Sequence, residues 1–380
     1  MHKKAKSHTH TDIPVVPENI SQIPVISKSV FLTKSVKFYT KEVLPEHRNI
    51  TPSGLSGEID HFILKNAEQD DDEILAIALL GFPAVGKSST VPRILHAVQD
   101  ALGFQEPQEH IVYKRANDAA ILEVGSYVCQ TANAIVTLLH TDHFFHAIGS
   151  DRRGIMLKDI ETCRKYWGKL RAAFRFLRNL YAGKVADIRI YTGTVDEKIQ
   201  KEPKGTIELK VHPDIDTKKV VVIEGVNAGE WVDRIKRRMS IKILKILYNM
   251  SIEDSLIRVL RRDHEKKGLE FQTIVNERLL EYYFIFEIYI LPALRNPKTV
   301  LFNKSRDVPP FTEDEKLDIL AALHIARAMY LRTTSNITPE QKKFIDILSS
   351  RVIDQIQQLN PVSVEVLERG KMQKLGKTPR

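Results

Sequence analysis

The feature that most constrains the fold is the stretch Gly81–Ser88, which reads GFPAVGKS and fits the pattern GxxxxGK[ST]. It follows the continuous apolar run Ile74–Leu80, which is typical of a strand buried on both faces of a parallel sheet. A helical pattern, Val91–Leu102, comes after it. A strand, a glycine-containing turn and a helix in this order predict a loop that binds the phosphates of a nucleotide.

The chemistry of the loop requires these residue types. Gly81 and Gly86 permit backbone conformations and a close approach that a Cβ atom would obstruct. Backbone N–H groups can then point at a phosphate beside the positive end of the helix. Lys87 is expected to reach the β- and γ-phosphates of ATP, and the Ser88 hydroxyl to bind Mg²⁺. The predicted nucleotide-binding residues of the loop are Gly81, Phe82, Pro83, Ala84, Val85, Gly86, Lys87, Ser88 and Ser89.

Strands and helices are expected to alternate along the rest of the chain. This alternation predicts an α/β fold with a doubly wound, mostly parallel sheet. The further strands are expected at 134–139, 220–223 and 241–247, and the helices at about 252–266 and 271–294.

Three segments are expected along the 380 residues. Residues 1–70, rich in Pro, Ser and Thr, predict a partly disordered N-terminal arm, and residues 71–305 the nucleotide-binding domain. Residues 306–380 predict a C-terminal helical extension with a basic tail. Thr312 is a candidate N-cap with Glu315 at capping-box spacing, and Pro339 stands at a first helical position.

Two carboxylates are expected at the edge of the sheet where ligands collect in open α/β folds. Glu224 follows the apolar run 220–223, and it could hold Mg²⁺ or its water shell. Asp142 follows the strand predicted at 134–139, where it could accept the proton of a substrate hydroxyl. His140, His143 and His146 flank Asp142, and they are interpreted as loop histidines because no fourth zinc ligand is evident.

The chain has 57 Lys and Arg against 48 Asp and Glu, a net charge of +9, and two segments hold the excess. Residues 152–178 contain nine basic and two acidic residues, and residues 234–267 contain eleven and four. In the second segment, Arg258, Arg261 and Arg262 have helical spacing that places them on one side, where they could fold over a triphosphate. Anionic phosphates are thus a sufficient explanation for the basic charge, which makes nucleic acid an unlikely partner.

Cysteine content and hydropathy exclude several classes of protein. The two cysteines, Cys129 and Cys163, form no CxxC pair, so neither a disulfide framework nor a Cys-rich zinc site is expected. No apolar run reaches the roughly 18 residues of a membrane span. A cytoplasmic protein without a membrane partner is therefore predicted.

The order of the motifs resembles that of the uridine kinase/phosphoribulokinase family of P-loop kinases. The motifs are GFPAVGKSS, TDHFF, IYTGT, VVVIEGVN and RVLRRDHEKKG, within about residues 73–305. The resemblance implies phosphoryl transfer from ATP, with Mg²⁺, to a hydroxyl of a small metabolite. It also implies that Asp142 is the catalytic aspartate and Glu224 the acid of the E-G motif. Further residues implied are Arg258, Arg262 and Lys267 in a lid around 255–270, and Phe145 and Tyr191 on the substrate side.

The acceptor stays open at this point. Thr192 and Asp196 stand where uridine kinases carry Asp and a base-reading His. The stretches AVGKSS and EGVN are also similar to motifs of bacterial pantothenate kinases. A nucleoside such as uridine or cytidine, pantothenate and a sugar are all compatible with the motifs. A nucleotide-dependent regulatory or nucleic-acid-interacting protein is the alternative from another class, and a homo-oligomer also stays open.

Overall fold

The computed structural model describes most of the chain between residues 46 and 363. The described residues are 46–67, 73–103, 127–130, 133–141, 170–190, 205–209, 211, 213, 216–303, 309–333 and 337–363.

The core of the protein is a seven-stranded sheet with the strand order β1-β9-β8-β2-β7-β4-β3. All neighbours run parallel except β3, which is antiparallel to β4 at one edge. The predicted α/β class with a doubly wound, mostly parallel sheet is confirmed. The strands of this sheet are β1 (Asn49–Ile50), β2 (Ile74–Leu80), β3 (Tyr127–Gln130), β4 (Ala134–His140), β7 (Lys218–Glu224), β8 (Ile241–Tyr248) and β9 (Thr299–Phe302). A separate hairpin consists of β5 (Ala186–Ile190) and β6 (Gly205–Leu209).

The central strand is β2, and its sequence explains its position. All seven of its residues are buried, as expected for a strand covered on both faces of a parallel sheet. It lies between β7 and β8. Because parallel strands share their direction, the carboxyl ends of β2, β7 and β4 meet at one edge of the sheet, and the loop that follows β2 begins at this edge.

Helices connect the strands. They are α1 (Leu55–Ala67), α2 (Lys87–Ala101), α3 (Leu170–Tyr181), α4 (Ala228–Lys236), α5 (Ile252–Lys267), α6 (Phe271–Ile285), α7 (Leu291–Arg295), α8 (Glu313–Arg332) and α9 (Pro339–Gln358). None of the helices in the described ranges is long and apolar enough to cross a membrane.

The helix predicted at 271–294 is divided in the structure. After α6, residues Phe286–Ile290 form a π-helical turn, and α7 continues to Arg295. Pro292 provides the physical reason, because it has no N–H to donate to the preceding turn. A wider turn before it accommodates the missing hydrogen bond.

Residues 46–67 belong to the sheet domain by their contacts, although the sequence pattern predicted them to be part of the arm. Asn49 and Ile50 of β1 pair with Leu301 and Phe302 of β9. Helix α1 packs on α2 and buries Leu55, Ile59 and Ile63 completely. These three residues recur every four positions, the spacing of one helix face.

The C-terminal helices pack against α5 and α6. The predicted capping box at Thr312 and Glu315 is present, with the Thr312 hydroxyl accepting from the Glu315 N–H at 3.2 Å. Thr338 and Gln341 form a second capping box, with Pro339 at the first helical position. The side-chain amide of Gln355 in α9 donates a hydrogen bond to Asp254 of α5 at 2.6 Å, which links the C-terminal extension to the sheet domain.

Candidate active site

The backbone of the phosphate loop adopts conformations that the sequence pattern anticipates. Gly81 has a φ of 150°, Ala84 of 58° and Gly86 of 88°. A positive φ at Ala84 is strained for a residue with a Cβ atom, and such strain is concentrated at functional sites. A Cβ atom at Gly81 would lie 3.1 Å from side-chain atoms of Tyr248 and Val85, so glycine permits this close approach.

Helix α2 begins directly after the loop, with Gly86 as its N-cap. Glycine has no side chain that could cap the helix, so no N-cap side chain occupies the positive end of α2, where anions bind in other proteins. The hydroxyls of Ser89 and Thr90 both donate to the Gly86 carbonyl at 2.9 Å. These bonds hold the last residue of the loop on the helix end.

Lys87 closes the loop from the inside. Its side chain is buried, and Nζ donates to the carbonyls of Gly81 at 3.0 Å and Phe82 at 2.8 Å. The ammonium group is therefore fixed over the loop backbone by the first residues of the loop itself. A buried cation at the positive end of a helix is a preformed position for the phosphates of a nucleotide.

Ser88, Glu224 and His140 form a chain of polar contacts at the edge of the sheet. The Ser88 hydroxyl donates to Glu224 Oε1 at 3.3 Å, and His140 Nδ1 lies 2.8 Å from Glu224 Oε2. The register of the sheet causes the second contact, because His140 and Glu224 are direct partners on β4 and β7. Hydroxyl and carboxylate oxygens are the donors that Mg²⁺ prefers, so Ser88 and Glu224 fit the ligands expected from the sequence.

Glu224 stays ionised despite its burial. Burial raises the pKa of this carboxyl group, but the hydrogen bond from His140, the charges of Lys87 and His140 and the Ser88 hydroxyl outweigh it and hold the pKa below its usual value. Because the acceptor is a carboxylate, the Nδ1 atom of His140 is the donor in this hydrogen bond. The site thus combines an anion held at β7 with a cation, Lys87, held at the loop.

Gly225 brings β4 close to β7 at this edge. Its N–H donates to the Leu79 carbonyl at 3.2 Å, so the turn after Glu224 is joined to β2. A Cβ atom at Gly225 would lie 1.8 Å from Thr141 Oγ1 and 2.8 Å from Thr141 Cβ. Thr141 is buried and directly precedes Asp142 in the sequence. The glycine of the E-G motif therefore fixes the path of the chain immediately before the proposed catalytic aspartate.

Replacement of Gly225 by alanine is expected to destabilise the protein. A new Cβ atom 1.8 Å from Thr141 must displace that residue, and overpacking of this kind costs about 1–3 kcal/mol. Gly57→Ala provides the matched control, because a Cβ atom at this position of helix α1 would have nothing within 4 Å. The control is expected to stabilise by about 0.5–1 kcal/mol. Urea unfolding of both variants measures the difference, and equal stabilities would refute the steric role of Gly225.

The N-terminal half of α5 is anchored to the phosphate loop. The Ser255 hydroxyl lies 2.6 Å from the Pro83 carbonyl and 2.7 Å from the Tyr282 hydroxyl of α6. The Tyr282 ring also stacks on Phe82, with 5.3 Å between the ring centroids and 5° between the planes. The loop, α5 and α6 are therefore packed as one unit.

Arg258 and Arg262 lie three and seven residues after Ser255, on the face of α5 that contacts the loop. Arg258 contacts the sulfur of Met250 at 3.9 Å, and Arg262 lies one turn further along the helix. This arrangement is compatible with the predicted clamp over a nucleotide.

Two of the predicted lid cations meet at one buried carboxylate. Arg262 Nε donates to Asp263 Oδ1 at 2.8 Å, and Lys267 Nζ lies 3.1 Å from Asp263 Oδ2. Arg278 of α6 donates to the same Oδ2 at 2.6 Å and also pairs with Glu281. We call these five residues, Arg262, Asp263, Lys267, Arg278 and Glu281, the charged cluster.

Within the charged cluster, the carboxylates and the arginines each stabilise the charged form of their partners. Burial raises the pKa of Asp263, but Arg278, Arg262 and Lys267 outweigh it and hold that pKa well below its usual range. Burial lowers the pKa of Arg278, but Glu281 and Asp263 outweigh it and raise that pKa. The pKa of Lys267 is lowered, by burial first and by the nearby arginines, although Asp263 opposes this change. Asp263 and Arg278 are therefore both charged at neutral pH.

Arg261 does not take the position that its helical spacing predicts, beside the other arginines of the clamp. It points to the C-terminal extension, where its guanidinium contacts Glu315 at 2.5 Å and lies 5.5 Å from the centre of the Phe311 ring. Its buried side chain also pairs with Glu265 at 2.9 Å. Helical spacing alone placed it beside Arg258 and Arg262, whereas the ring and carboxylate of a distant segment determine its direction.

The structure places the predicted phosphate-binding, magnesium-binding and lid residues, whereas the predicted base and the substrate-side residues lie outside the described ranges. Lys87, Ser88 and Glu224 converge at the edge of the sheet, and Arg262 and Lys267 converge at Asp263. Asp142, Phe145 and Tyr191 lie outside the described residues, so their roles stay predictions.

Sequence reasoning missed four residues of the site. His140 was interpreted as a loop residue, although its place on a strand adjacent to β7 was the available signal. Asp263 stands within the quoted motif RVLRRDHEKKG, between the basic residues that it binds. Arg278 and Tyr282 carry no local signal, because their partners lie in other segments.

A comparison with family models tests the resemblance that the motifs suggest. Residues 129–307 match the model of the phosphoribulokinase / uridine kinase family. The predicted family resemblance is confirmed. The matched region contains Glu224 and the lid positions of α5, whereas the phosphate loop precedes it. No curated protein sequence matches the chain.

Two solved structures are similar to this chain at low identity. One is YFH7 from Saccharomyces cerevisiae, a candidate P-loop containing kinase with a circular permutation. It has 14% identity and a TM-score of 0.36, and the match covers 67% of this chain and 99% of that one. The other is a candidate fructose transport system kinase from Silicibacter sp. TM1040, with 15% identity, a TM-score of 0.38, and coverage of 65% and 98%.

Proposed function

We propose that the protein is an ATP-dependent kinase that transfers the γ-phosphoryl group to a hydroxyl of a small metabolite. The observation that carries the proposal is the convergence of Lys87, Ser88 and Glu224 at the carboxyl edge of β2 and β7. Lys87 and the loop would bind the phosphates. Ser88 and Glu224 would hold Mg²⁺, which would neutralise phosphate charge when bound.

The remaining roles follow from the sequence and from the charges on α5. Asp142 would accept the proton of the acceptor hydroxyl, while Arg258, Arg262 and Lys267 would neutralise the charge of the transferred group. Phe145 and Tyr191 would contact the acceptor. We propose a nucleoside such as uridine or cytidine as the first acceptor to test, with pantothenate and sugars as alternatives within the family.

Nucleotide binding is tested by calorimetry with a non-hydrolysable ATP analogue and Mg²⁺. Lys87→Ala is expected to weaken binding about 10- to 100-fold, because a hydrogen bond to a charged group contributes about 1.5–3 kcal/mol. Lys343→Ala on the exposed face of α9 is the matched control and should bind like wild type. Absence of binding in the wild type, or equal affinity in the Lys87→Ala variant, would overturn the proposal.

The acceptor is identified by thermal shift in the presence of the same analogue. A ligand at 100 times its dissociation constant stabilises by about 2.7 kcal/mol, which is readily measured. Nucleosides, pantothenate and sugars form the panel, and each compound that stabilises is then tested for ADP formation from ATP. A compound that stabilises but yields no phosphorylated product would argue for a regulatory role instead.

A further inference from the structure

The C-terminal extension presents an apolar face on α8. Five large hydrophobic residues are well exposed in the described part of the chain, and three of them lie on this helix. Leu317 is 57% exposed, Ile325 58% and Leu331 39%. Together with the exposed Ala321 and Ala328, they form one stripe along the helix, which we call the α8 stripe.

The stripe is opposite to the face that packs on the protein. Ile319, Ala322, Leu323, Ala326 and Tyr330 are buried toward α6 and α9. The outer side of helix α8 therefore combines large apolar residues with the exposed Asp318, His324 and Arg332, whereas the outer face of a helix at the surface of a monomer is usually polar. Exposed apolar residues that are contiguous mark an interaction surface.

The order of residues in the stripe is the same in both chain directions. Leu317 and Ala321 precede the centre at His324 and Ile325, and Ala328 and Leu331 follow it at nearly equal spacings. In an antiparallel pair of such helices, each leucine faces the leucine of the other copy. The alanines face each other in the same way, which permits the helix axes to approach closely.

The charges at the two ends of α8 complement this arrangement. The first half has the exposed carboxylates of Glu313, Asp314 and Asp318. The other end has the exposed Arg332, and Lys342 donates to the Leu331 carbonyl there at 3.2 Å. A two-fold axis near Ile325 places Asp318 of one copy beside Arg332 of the other. Parallel packing would instead oppose like charges.

We propose that the α8 stripe is the interface of a two-fold symmetric dimer of this chain, formed by antiparallel packing of α8 on its copy. A helix of 20 residues is about 30 Å long and about 10 Å wide, so the pair buries on the order of 600 Å² in total. This area is below the roughly 1,200 Å² of standard stable complexes. The dimer is therefore reversible and depends on protein concentration.

The dimer is tested by sedimentation equilibrium of the full chain over a hundredfold range of concentration. Wild type is expected to rise from the monomer mass of 43.5 kDa toward twice that value. Ile325→Glu is expected to remain monomeric, because it places two like charges beside the symmetry axis. Leu64→Glu is the matched control, since Leu64 is 57% exposed on α1 and should leave the equilibrium unchanged. Thermal unfolding of each variant separates a lost interface from a lost fold.

Charge reversal distinguishes this antiparallel dimer from other associations. Asp318→Arg alone and Arg332→Asp alone are each expected to weaken the dimer, and the double variant is expected to restore it. A double variant that does not recover, or a dimer insensitive to Ile325→Glu, would overturn the proposal. A wild type that stays at 43.5 kDa throughout, as when another segment or another protein covers the stripe, would also overturn it.

Discussion

An Asp142→Asn variant is expected to lose phosphoryl transfer by about 10²–10⁴-fold, the usual contribution of a general base. The proposed base directly follows Thr141, whose position is fixed by contact with Gly225 at the edge that also contains Lys87 and Glu224. Asparagine has nearly the same size but cannot accept the proton of a hydroxyl as a carboxylate does. The measurement is steady-state formation of ADP with the acceptor that the thermal-shift panel identifies.

Binding of ATP separates this loss from damage to the site. The Asp142→Asn variant is expected to bind the non-hydrolysable analogue within about twofold of wild type, because the loop and Lys87 are unchanged. Lys87→Ala should instead weaken binding of the nucleotide itself. Full turnover by Asp142→Asn would exclude Asp142 as the base and leave the nucleotide site intact.

An Arg278→Met variant is expected to lose about 3–5 kcal/mol of folding stability, the cost of breaking a buried ion pair on one side. Arg278 lies between the buried carboxylates of Asp263 and Glu281, and methionine fills a similar volume without charge. Both carboxylates then lack their buried partner, although Asp263 keeps Arg262 and Lys267. Urea unfolding monitored by circular dichroism measures the loss.

A triple variant is the control for this charge effect. Asp263→Asn and Glu281→Gln added to Arg278→Met remove the carboxylates as well, and this combination is expected to recover part of the lost stability. A triple variant no more stable than Arg278→Met would show that packing, and not charge, causes the loss.

The dependence on pH gives an independent check. The pKa of Asp263 in the folded protein lies below its ordinary value of 3.8, so the unfolded chain binds a proton that the folded chain does not. The contribution of Asp263 is therefore present above about pH 4 and is lost as the pH falls below it. The wild type should lose more stability than the triple variant over this acidic range.

The central part of the fold could be predicted because its determinants are local. Ile74–Leu80 and the glycines of the loop specify a strand, a turn and a helix in one continuous stretch of chain, and Glu224 follows its strand directly. The capping box at Thr312 is likewise defined by residues three positions apart. Patterns within one turn or one strand thus predicted the loop, the start of α8 and the acid of the E-G motif.

The remainder depends on contacts between distant segments. Arg261 turns toward Glu315 and Phe311, and Asp263 is bound by Arg278, with none of these partners within one turn of the helix. The contact between His140 and Glu224 requires the register of two strands that are 84 residues apart in the sequence. Spacing within one segment cannot specify such partners, so the charged cluster and the role of His140 emerged only from the structure.

The position of β1 has a consequence for biosynthesis. Asn49 and Ile50 pair with residues about 250 positions later, so this edge of the sheet stays without its partner until Phe302 has been made. At a synthesis rate of roughly 5–20 residues per second, the delay is about 12–50 s. During that time helix α1 can pack on α2, whereas β1, which has only two residues, must wait for β9. The pairing of β1 with β9 is therefore expected to be the last contact of this sheet to form during synthesis.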